Sequence, residues 1–361
     1  MTNKNAIFTG WTIVLALVLT ILAPVNVGAQ AIKSSPRPYY VALGDSYSSG
    51  EGLAPFLAGS GSCDRSPEAY PELVAHRLGN VTLRFSACSG ATIAQISDQV
   101  ASLAPKEFRR TALTTVMAGG DDLPFAGLIR ACIGAVTSAT SQTIEYLPSV
   151  SSATLCASTI SGAANLLGAS INPVTSGVTI PVSALTFPLT QPSTIESRLI
   201  ALYSRILHAE GAVRHRAAGP QLIVVQYPTL LGSPGSGACQ LSSTPLPLPI
   251  PTTSGGSTAP LYPAFTNASS FELADLNSYL QIETSVVVER LRSEGYLDVS
   301  LAPLESGFAP LDCTTGTSPD LNGLLLSSAG TTTQSGSFHP SASGQAMLAA
   351  SAVAAWRSAT R

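Results

Sequence analysis

Tyr39-Tyr40-Val41-Ala42-Leu43-Gly44-Asp45-Ser46-Tyr47-Ser48-Ser49-Gly50-Glu51-Gly52 is the stretch from which the rest of the chain is read. Tyr39 to Leu43 is a short apolar run, bounded by prolines upstream and by Gly-Asp-Ser downstream, and it predicts a buried strand. Ser46 then stands just past a strand end. In an open α/β sheet that edge is where ligands bind, and a glycine beside the serine lets the backbone turn sharply and leaves the hydroxyl exposed. This is a good place for a nucleophile. Ser and Asp are also the usual N-cap residues, so the same letters read equally as the cap of a following helix. The rest of the chain has to supply the chemistry.

Moving outward, Cys63-Asp64-Arg65-Ser66-Pro67-Glu68 predicts a helix capped by Ser66, with Pro67 at its first position, running through Leu78 and ended by Gly79. Val81 to Phe85 alternates like a second strand and runs into Ser86-Ala87-Cys88-Ser89-Gly90. A glycine there lets a backbone N–H approach a ligand, which makes Gly90 a candidate oxyanion donor or, more plainly, a turn glycine. Leu113 to Ala118 is a third strand ending in Gly119-Gly120-Asp121-Asp122, and Leu222 to Gln226 and Tyr296 to Leu301 are a fourth and a fifth. Parallel strands joined by helices bring these ends to one edge of a sheet. Helices are expected from Thr194 and from about Phe271 to Glu294. His76, His208 and His215 sit on helical stretches without ligand-spaced partners and read as surface residues, whereas His339 stands in a loop, Gly336-Ser337-Phe338-His339-Pro340, at the entry to a terminal helix.

Two segments are conspicuously poor in charge. Residues 131–194 carry only Glu145, and 232–271 carry none and include Pro245, Pro247, Pro249 and Pro251. Hydroxyls and glycines interrupt every apolar run in the first, so it is no membrane span. It reads as short helices and loops over the domain, either a lid or acyl-binding surface or a variable insertion. The second reads as a long loop of polyproline character.

Charged residues make up 11% of the chain, and mean hydropathy is +0.30. The apolar run from Trp11 to Ala23, followed by small residues at Val27-Gly28-Ala29, reads as a secretory leader over 1–29, with an uncleaved anchor as the competing reading. Then follow a linker over 30–37 and one domain over 38–361. The formal charge of -3 offers no electrostatic footprint for nucleic acid. Six cysteines in an exported chain point to disulfides, and six allow 15 pairings by count alone. None forms a Cys-x-x-Cys or Cys/His cluster at metal spacing, so neither a metal nor a cofactor is expected.

A serine hydroxyl is a poor nucleophile until an imidazole takes its proton, and the tetrahedral anion that follows needs fixed donors. Ser46, Gly90, Asp121 and His339 supply those parts in chain order. With Gly44 to Gly52, Cys63 with Arg65-Ser66 and Ala69-Tyr70-Pro71, Ala87 to Thr92, and Phe308, Cys313 and Asn322-Gly323 ahead of Phe338-His339-Pro340, the chain resembles the SGNH (GDSL) hydrolases. The match is to their secreted bacterial lipase/esterase branch. The resemblance implies a three-layer α/β/α flavodoxin-like fold around a central parallel sheet, with Ser46 as nucleophile and His339 as general base. It implies an oxyanion hole from the N–H groups of Ser46 and Gly90 plus one side-chain amide. It also implies neighbour-paired disulfides: Cys63 with Cys88, Cys132 with Cys156, and Cys239 with Cys313.

Two positions depart from the family pattern. The aspartate that many members carry three residues before the histidine is Gly336 here, so the expectation is a Ser46–His339 dyad whose imidazole is oriented by the Gly336 carbonyl. The asparagine of the Gly-x-Asn-Asp block is Asp121, and an ionised carboxylate offers no donor. Asp121 held protonated by burial and by Asp122, two backbone donors sufficing for slow turnover, and a scaffold retained for binding alone are the three outcomes that follow. The expected function is an exported esterase or lipase acting on acyl or lipid esters through an acyl-Ser46 intermediate, with transient contact to a membrane or envelope surface allowed by the charge-poor segments. The alternative is a catalytically weakened lipid- or envelope-binding protein.

Overall fold

The strand predicted at Tyr39 is the centre of the sheet. In a computed structural model, β1 (Tyr39–Gly44) has Tyr40, Val41, Ala42 and Leu43 wholly buried, as a parallel strand covered on both faces requires. It lies between β2 (Thr82–Phe85) and β3 (Thr111–Met117), and β6 (Gln221–Val225) and β9 (Val299–Ala302) extend the sheet to the order β2-β1-β3-β6-β9, every pair parallel. The register sets Gly44 against Met117 and Ala42 against Phe85, so the C-terminal ends of the first three strands share one edge. The order reverses direction between β1 and β3, and the crevice at such a reversal is where ligands bind in doubly wound sheets.

The structure describes residues 36–123, 125–136, 145–146, 153–167, 194–212, 219–233, 237–246, 260–304, 307–325 and 334–361, with His215 and Gly235. The expected leader over 1–29 and most of the linker lie outside the described residues, as do large parts of the two charge-poor segments. Arg37–Arg361 forms one unit.

Helices cover both faces of the sheet, as the right-handed crossover rule demands. After the single turn α1 (Ser46–Ser49), α2 (Tyr70–Leu78) packs with the last helix of the chain. On the other face lie α3 (Ile93–Ser102) and the short α4 (Pro105–Phe108). Next come α5 (Phe125–Cys132) and α6 (Ala153–Leu166), which pack on each other. Then α7 (Thr194–Glu210) joins α3 and α8 (Asn267–Ser293), and α9 (Ala342–Ala359) closes the α2 face. The result is an α/β fold with a central parallel sheet between helices.

The fifth strand, expected over Tyr296 to Leu301, is Val299–Ala302, and three further expectations change. The helix expected from Pro67 begins at Tyr70, because Ser66 is spent on the loop after β1: its hydroxyl donates to the Leu53 carbonyl (2.6 Å) and its N–H to that of Ser49 (2.8 Å). The helix expected from Phe271 begins at Asn267, where the Thr266 hydroxyl caps the Ser269 N–H at 2.9 Å. The charge-poor segments, read as loops and short helices, also contribute strands. β4 (Gly134–Val136), β5 (Glu145–Tyr146), β7 (Cys239–Gln240) and β8 (Tyr262–Phe265) form a second, antiparallel sheet in the order β5-β4-β8-β7. These strands alternate over too few residues, and lie in segments too rich in Ser, Thr, Gly and Pro, to stand out from loop in the sequence.

The three disulfides join Cys63 to Cys88, Cys132 to Cys156 and Cys239 to Cys313. The first ties the loop after α1 to the loop after β2, the second ties α5 to α6, and the third ties β7 to the segment that leads to His339. Each contributes ~2–4 kcal/mol by restricting the unfolded chain.

Candidate active site

Asp45, Ser46, Gly90, Asp121 and His339 line one cavity of ≈ 310 Å³ at the sheet's reversal edge. Asp45 and Ser46 come from the loop after β1, Gly90 from that after β2, Asp121 from that after β3, and His339 from the entry to α9.

The first loop resolves the two readings of Gly-Asp-Ser into a division of labour. Asp45 is the N-cap of α1, accepting the Tyr47 N–H at 3.0 Å, and Ser46 is the first residue of that turn, 7% exposed at the cavity. Gly44 makes the turn possible. Its φ of +140° is open to glycine, a Cβ there would stand 2.8 Å from the Met117 carbonyl oxygen, and its own N–H and C=O pair with the side-chain amide of Gln99 at 3.0 and 2.8 Å.

The glycine block places Gly90 at φ +74°, exposed at the cavity wall. Its neighbour Ser89 is anchored by its N–H to the Cys63 carbonyl (3.1 Å), and its hydroxyl donates to Glu51. The third loop is set by Tyr227, which follows β6. Its hydroxyl accepts the Gly120 N–H at 2.9 Å and donates to Asp45, so one phenol ties the loop bearing Ser46 to the loop bearing Asp121. A Cβ on Gly120 would meet the Tyr227 ring at 3.0 Å, which explains a glycine at that point.

Asp121 opens into the cleft. The desolvating cavity wall, with like-charge repulsion from Glu51 and then from Asp122, pushes its carboxyl up to about 6. The expected role of Asp122 is thus secondary. That carboxylate is engaged elsewhere, accepting the Ile93 N–H at 2.7 Å and pairing with Arg198 at 3.1 Å. Burial and then Asp121 also push the Asp45 carboxyl up, against the hydrogen bonds from Tyr227 and the Tyr47 N–H.

His339 is held from several sides. Its Nδ1 lies 3.0 Å from the Ser337 carbonyl oxygen. This corrects the expectation for Gly336, whose carbonyl is already taken by the Asn322 side-chain amide at 3.1 Å and by the His339 backbone N–H at 3.1 Å. A carbonyl two residues back can reach Nδ1 because Phe338, between them, adopts φ +61°. That conformation is costly for a bulky residue. It is held by the Tyr47 hydroxyl on the Phe338 carbonyl (2.6 Å) and by the buried Phe338 ring, stacked on Phe265 and edge-on to Phe125. With Nδ1 facing an acceptor, Nε2 is the nitrogen left for base chemistry, and it is buried without a hydrogen-bond partner. Burial holds the imidazole below the usual histidine range, opposed by Glu51 and the Ser337 carbonyl.

Sequence reasoning therefore named Ser46, Gly90, Asp121 and His339 and missed Glu51, Tyr47, Tyr227 and Ser337. Glu51 was legible as a carboxylate between two glycines, five residues after the nucleophile, in a chain short of charge. Tyr227 carried no signal beyond its place after a strand. One wall of the cavity is apolar, formed by Leu123, Phe125, Leu128 and Ile129 near α5 and by Leu276 and Leu280 of α8. Among the described residues no group of three or more His, Cys, Asp or Glu is arranged to hold a metal ion.

Comparison with known proteins places this arrangement. A family model described as "GDSL-like Lipase/Acylhydrolase family" matches residues 42–347. Lipase 1 of Streptomyces coelicolor is 40% identical over 106 residues, 29% of this chain and 38% of that protein. A lipase of Streptomyces rimosus is 41% identical over 108 residues, 29% of this chain and 39% of that protein. The matched stretch thus spans less than two fifths of either relative. Among solved structures, phospholipase A1 from Streptomyces albidoflavus aligns over 88% of this chain and 98% of its own, with a TM-score of 0.55 and 22% identity. The extracellular lipase of Streptomyces rimosus aligns over the same shares with a TM-score of 0.53 and 23% identity. At such identities the two structures speak to the fold, and it is the family model, covering most of the chain together with all four site loops, that assigns it: the chain belongs to the GDSL-like lipase/acylhydrolase family.

Proposed function

We propose that this protein is an exported serine esterase or lipase that hydrolyses carboxylic esters of acyl or lipid type through an acyl-Ser46 intermediate. The observation that carries the reading is one cavity in which Ser46, a histidine with its Nδ1 on a carbonyl and no hydrogen bond on its Nε2, and Gly90 stand beside an apolar wall suited to an acyl chain. In the forward step Ser46 Oγ bonds to the ester carbon as its proton passes to His339 Nε2, and the carbonyl π pair moves onto oxygen. The N–H groups of Ser46 and Gly90 receive that oxyanion, and Asp121 joins them when it carries a proton. Collapse expels the alkoxide, which takes the proton from Nε2, and water repeats the cycle on the acyl-enzyme. The family membership and the relatives named as lipases support the class of reaction. The charge-poor leader and the disulfides support export.

The second reading, a binding protein on a weakened site, has one specific observation in its favour: a carboxyl rather than an amide at position 121, which lacks a donor once ionised. Hydrolysis of nitrophenyl butyrate and nitrophenyl decanoate, by the parent and Ser46→Ala, separates the two. The esterase reading expects turnover abolished by Ser46→Ala, with the longer chain bound more tightly. A parent that binds lipid but turns over neither ester, and whose Ser46 resists an organophosphonate, supports the binding reading.

A further inference from the structure

Nδ1 of His339 faces a neutral partner, the Ser337 carbonyl, in a setting whose burial opposes charge. A base that must become imidazolium there gains most from a negative charge nearby. The structure brings that charge to the other side of the ring: Glu51 Oε2 lies 3.6 Å from Nε2. Glu51 is held in this place. Its N–H donates to the Ser46 carbonyl at 3.1 Å, its carboxylate accepts the Ser89 hydroxyl, and its side chain is 13% exposed. Gly52 and Gly336, both at positive φ, press the two loops together so closely that a Cβ on Gly52 would stand 2.9 Å from Gly336 Cα.

Glu51 and Asp121 line the same cavity, and the Glu51 carboxylate is the leading like charge acting on Asp121. The other ionisable groups around the cleft are otherwise occupied. Asp45 takes the Tyr227 hydroxyl, Asp122 is paired with Arg198, Tyr47 donates to the Phe338 carbonyl, and Arg130 is exposed at the cavity's edge. We propose that Glu51 is a positioning residue whose one charge serves both halves of the reaction: it pairs with the His339 imidazolium as the Ser46 proton arrives, and it keeps the proton on Asp121 so that Asp121 donates to the oxyanion. This rests on the Ser46–His339 reading for its chemistry, and not for its geometry. It also accounts for how the chain manages with a carbonyl behind its histidine and a carboxyl in its oxyanion hole, since the first lacks a charge and the second needs a proton.

The test is an NMR titration of the histidine rings in parent, Glu51→Gln and Glu51→Asp, with His339 assigned by His339→Gln and with His76, His208 and His215 as internal references. Loss of the charge moves the His339 midpoint to lower pH by about one unit, Glu51→Asp restores most of it, and the other three stay. An unmoved His339 midpoint overturns the proposal, whether or not the protein turns over an ester. In the pH dependence of kcat/KM, Glu51→Gln lowers the maximum about tenfold and shifts the alkaline limb to lower pH. In an Asp121→Asn background that limb is absent and the same substitution costs less. An equal loss in both backgrounds with an unmoved alkaline limb overturns the link to Asp121. A parent without turnover refutes the esterase reading, and the ring titration still decides whether Glu51 holds His339.

Discussion

Replacing Asp121 by asparagine swaps a conditional donor for a permanent one, and the structure sets the size of the gain. With the carboxyl pushed up to about 6, chiefly by the desolvating wall and then by Glu51, only about 3% of molecules keep the Asp121 proton at about pH 7.5. An asparagine amide donates at every pH. Asp121→Asn therefore raises kcat/KM about thirtyfold at about pH 7.5, about twofold at about pH 6, and hardly at all at about pH 5, within the ~10²- to 10³-fold ceiling of one oxyanion donor. On the acid side, both proteins lose activity together as His339 takes up its proton below the usual histidine range. The parent thus has a narrow bell displaced to acid, and the variant a plateau toward alkaline pH. The assay is initial-rate hydrolysis of nitrophenyl butyrate across that range at fixed ionic strength. A variant-to-parent ratio that stays constant with pH refutes the reasoning, because it means Asp121 protonation plays no part in holding the oxyanion.

Two further outcomes follow from the scaffold. Gly44→Ala puts a methyl group against the Met117 carbonyl and the Ser48 side chain at a φ that side chains avoid, and so costs about 2–5 kcal/mol and misplaces Ser46; a urea midpoint and ester turnover equal to the parent's would count against it. Glu210 on α7 is buried, receives the Thr114 hydroxyl on one oxygen and leaves the other without a partner, and burial followed by Asp298 pushes it up to about 8. Because its folded value lies above its unfolded one, the stability it lends is present in acid and is lost as pH rises from about 4.5 through about 8, at most about 5 kcal/mol. Glu210→Gln keeps the Thr114 partner and flattens that slope, which urea unfolding at about pH 5 and about pH 8 reads directly.

The strands at Tyr39, Val81, Leu113, Leu222 and Tyr296 were legible because each is a short apolar run stopped by small or polar residues, and parallel order followed from the helices between them. The antiparallel sheet was not, because strands such as Cys239–Gln240 exist through their pairing partners rather than through any local pattern. The Phe271 helix was read four residues short for a related reason: Asn267 to Ser270 carries neither charge nor a large apolar residue to begin a helical stripe, and the Thr266 cap marks the start.

At the site, sequence by itself picked out the residues proposed to react, Ser46, Gly90, Asp121 and His339, which line one cavity. Nucleophile and base chemistries belong to single side chains, and a close backbone N–H donor needs a turn-forming glycine; each is written locally. Tertiary structure alone decided how those parts are set: that the Ser337 carbonyl rather than that of Gly336 faces Nδ1, that Tyr227 spans from Asp45 to Gly120, and that Glu51 Oε2 stands 3.6 Å from His339 Nε2 in the cavity that Asp121 also lines. Electrostatic fields and hydrogen-bond competition depend on separations of a few ångströms between residues far apart in the chain, and no local pattern encodes those distances.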